Sequence, residues 1–466
     1  MNKTNYSKTL KIGVFLDQLA YPIDPSNNPN ITNAFFSNNL YSNLIDVDEN
    51  NNYQNELVSK YWFDNEHNKL YLEFEESRVT AKDAEFSLRR LIVQNKQLHA
   101  DFWNIICEVN ESSLKCMERI YVEGQTLVIK YSDADKAQYI LPTLASVDYK
   151  IIPKAAFDTK DYEKATIVDY KITSGYYHLE VRDHKNFFVK NENVRDDIFL
   201  EYELINMNAD SLIGDKSDLL LSHIDIISTT VVIQREVYEK LARRNWNIFK
   251  SHNISIYLLA FSRNIMQKTT ASERFNYAGR MNNEAGKLVT LANAEKTIEF
   301  FQDYGQGFLN TSQKNDIIQL RSQESSLIDK KITYGTKFPD KWSTFTKNNP
   351  DILITKNDQF PINMKTEEQP DMFIISNDAS FDLSLSLISY AANVGLLDMT
   401  KAEVDEFANL KNEDEKISFI NKVHFKTLKE CKIYPMWSSP YHTAFNGHYE
   451  HNLSKFNSRT LLWKIH

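Results

Sequence analysis

The chain has 466 residues, 42% hydrophobic and 25% charged, a balance close to the globular average that excludes global disorder. Its 54 Lys and Arg against 63 Asp and Glu leave a formal charge of -9, without the basic footprint of a nucleic-acid binder. No apolar run reaches the roughly 18 residues of a membrane-spanning helix, and eleven Gly with eleven Pro are too few for a collagen-like or linker-like chain.

The length provides about three domains' worth of polypeptide. Met1 to Tyr6 show no apolar core and no small-residue cleavage site, so no signal peptide is visible. The expectation is a cytoplasmic protein if Met1 is the native start, and a periplasmic or cell-surface one if an export signal was removed. Thr9 to Asp17 alternates Leu10, Ile12, Val14 and Leu16 with Lys11, Gly13 and Phe15, which predicts a strand. Tyr21 to Asn33 is rich in Pro and Asn and reads as loop. Ala34 to Leu44 predicts a helix and Asp46 to Asn52 a turn. Leu70, Leu72 and Phe74 mark the next strand. Thr80 and Asp83 then form a capping box, because each side chain can satisfy a free N–H of a helix start. Ala84, Leu88 and Leu91 supply that helix's buried stripe.

Leu127, Ile129 and Tyr131 alternate as a strand, and Ile151 to Lys154 is a strand end broken by Pro153. Ser174 to Tyr177 marks a turn into a strand, and Phe187–Val189 and Phe199–Ile205 continue a meander. Ser255 to Ser262 is apolar without alternation, so a strand covered on both faces is expected. Met372 to Ile375 is similar and runs into Ser376, Asn377 and Asp378. Two helices follow Met399; the second is capped by Asn412 and Glu415 and buries Ile417, Ile420, Val423, Leu428 and Cys431. Tyr434–Trp437 and Thr460–Ile465 are late strands. The class is mixed α/β.

Catalytic and cofactor motifs are missing: no GxGxxG, phosphate loop, HExxH or CxxC occurs. No nucleophile, base and orienting group assemble from the sequence, so the expectation is a non-enzymatic protein without a cofactor. His442, His448 and His451 could hold Zn or Ni, but spacings of six and three fit neither a helix face nor a zinc-finger pattern. Cys107, Cys116 and Cys431 are an odd set. An oxidising compartment would permit a Cys107–Cys116 bridge; three buried thiols are the expectation.

Several ordered segments resemble the extracellular solute-binding proteins of family 5, the oligopeptide- and dipeptide-binding receptors of ABC importers. Val79 to Leu88 (VTAKDAEFSL) is similar to the family's VTAEDVVFSL and is the most specific piece. Asn39–Ile45 resembles its LYEGL segment, Glu56–Trp62 its LAESW, Leu70–Phe74 its TFHLR strand, Ser146–Ala155 its IVPKEA segment, Thr173–Tyr177 its GTGPY, Ser222–Asp225 its GEID, and Leu453–His466 its closing strand. The stretch from about 266 to 370 is poorly matched and looks shortened. The Gly-Thr-Pro loop before VTAED is missing, and Ile375 stands where the family has a tryptophan.

The resemblance implies a two-lobe periplasmic-binding-protein-like clamp of type II, from the large cluster with an extra subdomain in lobe I. Expected bounds are 1–45, 170–259 and 452–466 for the lobe I core, 46–169 for the peripheral subdomain and 260–451 for lobe II. It implies hinge closure on a short peptide, or a polar solute of similar size, and delivery by a monomer to an ABC transporter permease. Asp378 matches the family's aspartate that pairs with the peptide α-ammonium, flanked by Ser376 and Asn377. Tyr257 on the crossing strand, and His99 and Phe102 near the family's aromatic cleft wall, are further ligand candidates. Ser255 and Ser376 match two cysteines that some members bridge. Two other readings use the same fold: a cytoplasmic ligand sensor or interaction protein, and a receptor for a metal or metal chelate held by the three late histidines.

Overall fold

The structure is a computed structural model. It describes residues 6–466 except 28–29, 51, 76–77, 95–99, 109–110, 193, 208, 213–215, 232, 289, 302–306, 323–329, 337–338, 358–366, 379–401, 404–405, 408–409, 411 and 457–458. The chain divides into two compact units, Met1–Ser251 with Tyr441–His466, and His252–Pro440. The crossing strand Ser255–Phe261 therefore lies wholly in the second unit, whereas the sequence reading divided it at residue 259. The return also comes earlier than 452, because His442–Phe445 pairs with Asn247–Lys250 and Ile226–Ile227 of the first unit.

The first unit holds a seven-stranded sheet in the order Asn247–Lys250, His442–Phe445, Ile226–Ile227, Thr9–Val14, Glu201–Asn206, Lys185–Lys190, Tyr177–Arg182. Thr9–Val14 runs parallel to both neighbours. Its Leu10, Ile12 and Val14 are fully buried, as the alternation predicts. The helix Ile31–Leu40 starts and stops earlier than expected. Asn30 caps it by accepting from the Asn33 N–H at 3.0 Å, and Tyr41 turns extended so that Ser42 can bridge Ile151.

A second core sits in the same unit. The antiparallel sheet Lys60–Asp64, Lys69–Glu73, Thr126–Lys130, Ile120–Glu123 packs Leu70, Leu72, Leu127 and Ile129 with Ala84, Leu88 and Leu91 of helix Ala81–Gln94. The expected capping box is present: the Thr80 N–H donates to Asp83 Oδ2 at 2.8 Å and the Asp83 N–H to Thr80 Oγ1 at 3.3 Å. Asp83 also accepts from the Lys154 N–H at 2.8 Å, and Ser87 Oγ bonds both the N–H and C=O of Ile152 at 3.0 Å. Ser42 N–H donates to Ser174 Oγ at 2.9 Å, and Gly175 N–H to Leu40 O at 2.9 Å. A Cβ at Gly175 would lie 2.7 Å from the Leu40 carbonyl, so only glycine allows that approach. Segments that are distant in sequence thus form one bonded cluster.

Two expectations fail here. Cys107 and Cys116 are joined in a disulfide with Cα atoms 5.2 Å apart, and only Cys431 is a free buried thiol. Thr460–Ile465 is not a strand; Leu462–Lys464 forms a short 3-10 turn. The Asn39 amide takes the place of a strand partner, donating to Thr460 O at 3.1 Å and accepting from Leu462 N–H at 2.8 Å. Lys464 then reaches Asp46 at 3.4 Å, both side chains being buried. Nearby Lys150 is also buried, and burial pulls its ammonium pKa down to about 8.

The second unit holds a six-stranded sheet in the order Glu295–Lys296, Ile433–Ser439, Ser255–Phe261, Met372–Asp378, Ile332–Thr336, Ile352–Lys356. Ile256, Leu258 and Ala260 enter one core with Phe373 and Ile375, while Leu259 and Phe261 enter another with Met372 and Tyr434. The poorly matched stretch supplies the helices Ala271–Leu288 and Thr311–Arg321 and the last two strands of the sheet. Asn412 caps the helix Glu413–Lys429 by accepting from the Asp414 N–H at 2.8 Å. The other helix expected after Met399 falls largely outside the described residues.

The 107–116 staple gives a first prediction. Replacing both Cys107 and Cys116 by Ser removes a loop constraint worth about 2–3 kcal/mol. The denaturant midpoint of the oxidised wild-type protein should exceed that of the double variant by a corresponding amount; equal midpoints would show that the bridge adds no stability.

Candidate functional site

One end of the six-stranded sheet collects most of the expected ligand positions. The crossing strand starts at Ser255, where Met372–Asp378 and Ile433–Ser439 both finish beside it. Antiparallel register sets Ser255 opposite Asp378 and Ser439, Ile256 opposite Asn377 and Ser438, and Tyr257 opposite Ser376 and Trp437. The register against Ile433–Ser439 then shifts between Tyr257 and Leu258, placing Pro435 opposite Leu258. A bulge is where an inner strand tolerates proline.

Ser376, Asn377, Asp378 and Tyr257 thus occupy three consecutive rows. Ser376 is exposed; the Asn377 and Asp378 side chains lie outside the described residues, as does all of His99. Phe102 is elsewhere: it is 1% exposed and packs on Tyr149, with ring centroids 5.2 Å apart, inside the four-stranded core of the first unit. Its position is that of a core residue, with no face left for a ligand. Ser255 and Ser376 are diagonal, since each faces a different residue across the pair. A diagonal Cα separation of roughly 7–8 Å exceeds disulfide reach, so these two positions are not a direct pair.

Ser255 and a residue that the sequence did not single out, Trp437, complete this end. Trp437 stacks on Tyr257 with centroids 5.4 Å apart and planes at 26°. Its Nε1 and the Ser255 hydroxyl are buried polar atoms without a hydrogen-bond partner. Such groups each cost about 1–3 kcal/mol when left unmade, and they mark a place where an incoming polar backbone would be favoured. Only the placement of Trp437 on a predicted strand hinted at it.

On the other face of the sheet from Tyr257 and Trp437 lies a pocket of about 330 Å³, lined by Ile256, Ser438, Thr297, Glu299, Phe308 and Lys314 among others. Its wall is tied from behind. Glu299 is paired with Lys314 at 2.7 Å and accepts from the Leu309 N–H at 3.1 Å. His424 Nε2 accepts from the Phe300 N–H at 3.2 Å, and its Nδ1 lies 3.2 Å from the Gly307 carbonyl. Gly307 has φ +81°, which glycine adopts freely. His424 is fully buried, and burial pulls its pKa down to about 3, so the ring is neutral, with Nδ1–H donating and Nε2 accepting. No sequence motif assigns this residue a role, although it lies four positions after Ile420 on the buried helix face.

The late histidines do not converge. His442 is buried in its strand against the Tyr238 ring at 5.5 Å, and burial lowers its pKa to about 4. His451 stacks on Phe445 at 5.2 Å, and His448 is exposed. Among the described residues, Cys107, Glu111 and Cys116 form the one group close enough to hold a metal, and its cysteines are joined to each other. The metal-receptor expectation therefore loses its ligand set.

No protein-family profile matches the sequence, and no curated protein does. Solved structures do. The chain is similar to the Escherichia coli murein tripeptide binding protein MppA, with TM-score 0.74 and 14% identity over 99% of this chain and 98% of the other. It is similar to a dipeptide binding protein from Pseudoalteromonas sp. SM9913 in complex with Met-Leu, with TM-score 0.72 and 11% identity over 98% and 99%. Listeria monocytogenes OppA bound to peptide gives TM-score 0.72 and 12% identity over 99% of both chains. These likenesses establish the type II periplasmic-binding-protein fold that the sequence landmarks implied.

The buried histidines set a pH dependence. Folded His424 stays neutral down to about pH 3, whereas an unfolded histidine takes a proton near pH 6.5. The unfolded state therefore binds more protons below pH 6.5, and stability falls as pH drops through that window, by about 1.4 kcal/mol per pH unit for each such group. The melting temperature should fall between pH 7 and pH 5, and His424→Gln should reduce the slope. An unchanged slope would mean that His424 does not carry it.

Proposed function

We propose that this protein is a non-enzymatic receptor that captures short peptides outside the cytoplasm and delivers them to the permease of an ABC importer. The observation that carries this reading is the convergence of Ser376, Asn377, Asp378 and Tyr257 on one sheet end, beside the unpartnered buried atoms of Ser255 and Trp437. Proteins of the same fold bind a murein tripeptide, Met-Leu and longer peptides.

A peptide can be held here like an added strand, through main-chain hydrogen bonds that ignore its sequence. The Trp437 indole N–H is donor-only and suits a peptide carbonyl, while the Ser255 hydroxyl can donate or accept. Orientation needs one fixed charge. An α-ammonium removed from water loses several kcal/mol unless an opposite charge meets it, and the Asp378 carboxylate would meet it with a charge-assisted bond. The protein acts as a monomer in this reading.

The Cys107–Cys116 disulfide favours an oxidising compartment over the cytoplasmic sensor alternative, because cytosolic thiols are kept reduced. Among the described residues, no helix is long and apolar enough to cross a membrane.

Titration calorimetry with trialanine tests the anchor. Asp378→Ala should weaken binding by at least tenfold, while the melting temperature of the ligand-free protein stays within about 1 °C, as expected if the carboxylate serves binding rather than packing. Equal affinity in both forms would remove Asp378 from the site. Native mass spectrometry of freshly purified protein should show a mixed ladder of bound peptides; a single non-peptide mass would overturn the peptide reading.

A further inference from the structure

We infer that the outer face of the four-stranded sheet in the first unit is a self-complementary surface on which a second copy of this chain pairs about a twofold axis. This goes beyond the peptide-binding reading and does not rest on it. The face belongs to the first unit, while Tyr257 and Asp378 belong to the second, so capture stays with the single chain.

Aromatic rings mark the surface. Successive side chains of a strand point to opposite faces. Leu70, Leu72, Leu127, Ile129 and Ile120 enter the core, which sends Trp62, Tyr71, Val128 and Tyr121 to the other side. The register sets these four in one row across all four strands. Trp62 is 37% exposed and stacks on Tyr71, with centroids 5.1 Å apart and planes at 2°. Lys60 Nζ lies 4.9 Å from the Trp62 ring, and Lys69 Nζ lies 5.9 Å from the rings of both Tyr71 and Tyr121. These contacts hold the rings in place before any partner arrives, so docking on them costs little ordering entropy. A solvated sheet face needs only polar side chains, whereas exposed Trp and Tyr carry much of the binding energy at protein interfaces.

Charge identifies the partner. The rings run between two charged rows of the same face. One row reads Lys60, Glu73, Thr126, Glu123, and the other Asp64, Lys69, Lys130. A twofold axis along the ring row lays each strand on its own copy and exchanges the two charged rows. Lys60 then meets Asp64 of the second copy, Glu73 meets Lys69, and Thr126 meets Lys130, while Trp62, Tyr71 and Tyr121 each meet their equivalents. Opposite charges face one another throughout, and no like charges do. Asp64 also holds His67 at 2.8 Å, which leaves its carboxylate further lone pairs. Glu123 falls over the start of its own strand, beside Arg119, which Glu108 and Glu111 already bind. An axis along the strands would instead set Lys69 against Lys130. The first arrangement is an isologous contact, closed by symmetry.

The face is small. Its strands are four to five residues long, so four of them cover about 20 by 17 Å. That is well below the roughly 800 Å² per partner of a standard interface. Pairing is therefore weak and reversible, and dilute protein is monomeric.

Sedimentation equilibrium tests the contact. Between about 5 and 500 µM, the mass of the wild-type protein should rise reversibly from one chain toward two. Lys60→Glu with Lys69→Glu turns the face acidic, and Asp64→Lys with Glu73→Lys turns it basic. Either double variant alone should self-associate at least tenfold more weakly than wild type, whereas an equimolar mixture should pair at least as tightly as wild type. Trp62→Asp, a single exposed change that stays informative should a double variant fail to fold, should also weaken pairing at least tenfold. A wild-type protein that stays monomeric throughout, self-association untouched by Trp62→Asp, or a mixture of folded variants no more dimeric than its components would overturn the proposal.

Discussion

The strand Ser255–Phe261 is hydrogen-bonded along both edges and buried on both faces. Ile256, Leu258, Leu259 and Ala260 have essentially no exposure, and each large side chain contributes about 1.5–3 kcal/mol by leaving water. A slip of one residue would exchange the two cores, so the register is firmly held. Every property assigned to the site follows from that constraint: which residue faces Ser255, where Trp437 meets Tyr257, and which row borders the pocket.

The first unit is held together by a different device. Its landmark segments are polar at their ends, and those ends bond to one another: Asp83 to the Lys154 amide, Ser87 to Ile152, Ser174 to Ser42 and Gly175 to Leu40. This explains why short motifs scattered from Leu40 to Tyr177 stay recognisable together. Changing one leaves a buried backbone group of another without its partner, which costs more than losing a surface contact.

Much of this was legible in the sequence, where local chemistry and global packing agree. Leu10, Ile12 and Val14 alternate and are buried; Thr80 and Asp83 cap a helix; Ser255 to Phe261 lacks alternation and is covered on both sides. Misreadings occur where a distant side chain intervenes. Asn39 bonds the backbone that would otherwise have made a strand near Leu462. Phe102 is aromatic and near a family landmark, yet only its three-dimensional neighbours show it to be core. His424 and the pocket wall were invisible because that wall is loop, closed by contacts over more than a hundred residues of sequence.

Chain order gives the first unit an unusual dependence on synthesis. Residues 252–440 form a contiguous unit and can close their sheet while later codons are still being read. The first unit must wait for His442–Phe445 to cover the open edge of Ile226–Ile227 and for Leu462 and Ile465 to fill its core. A ribosome paused anywhere in the insert carries a nascent chain with a bare strand edge, the surface that chaperones and wrong partners engage.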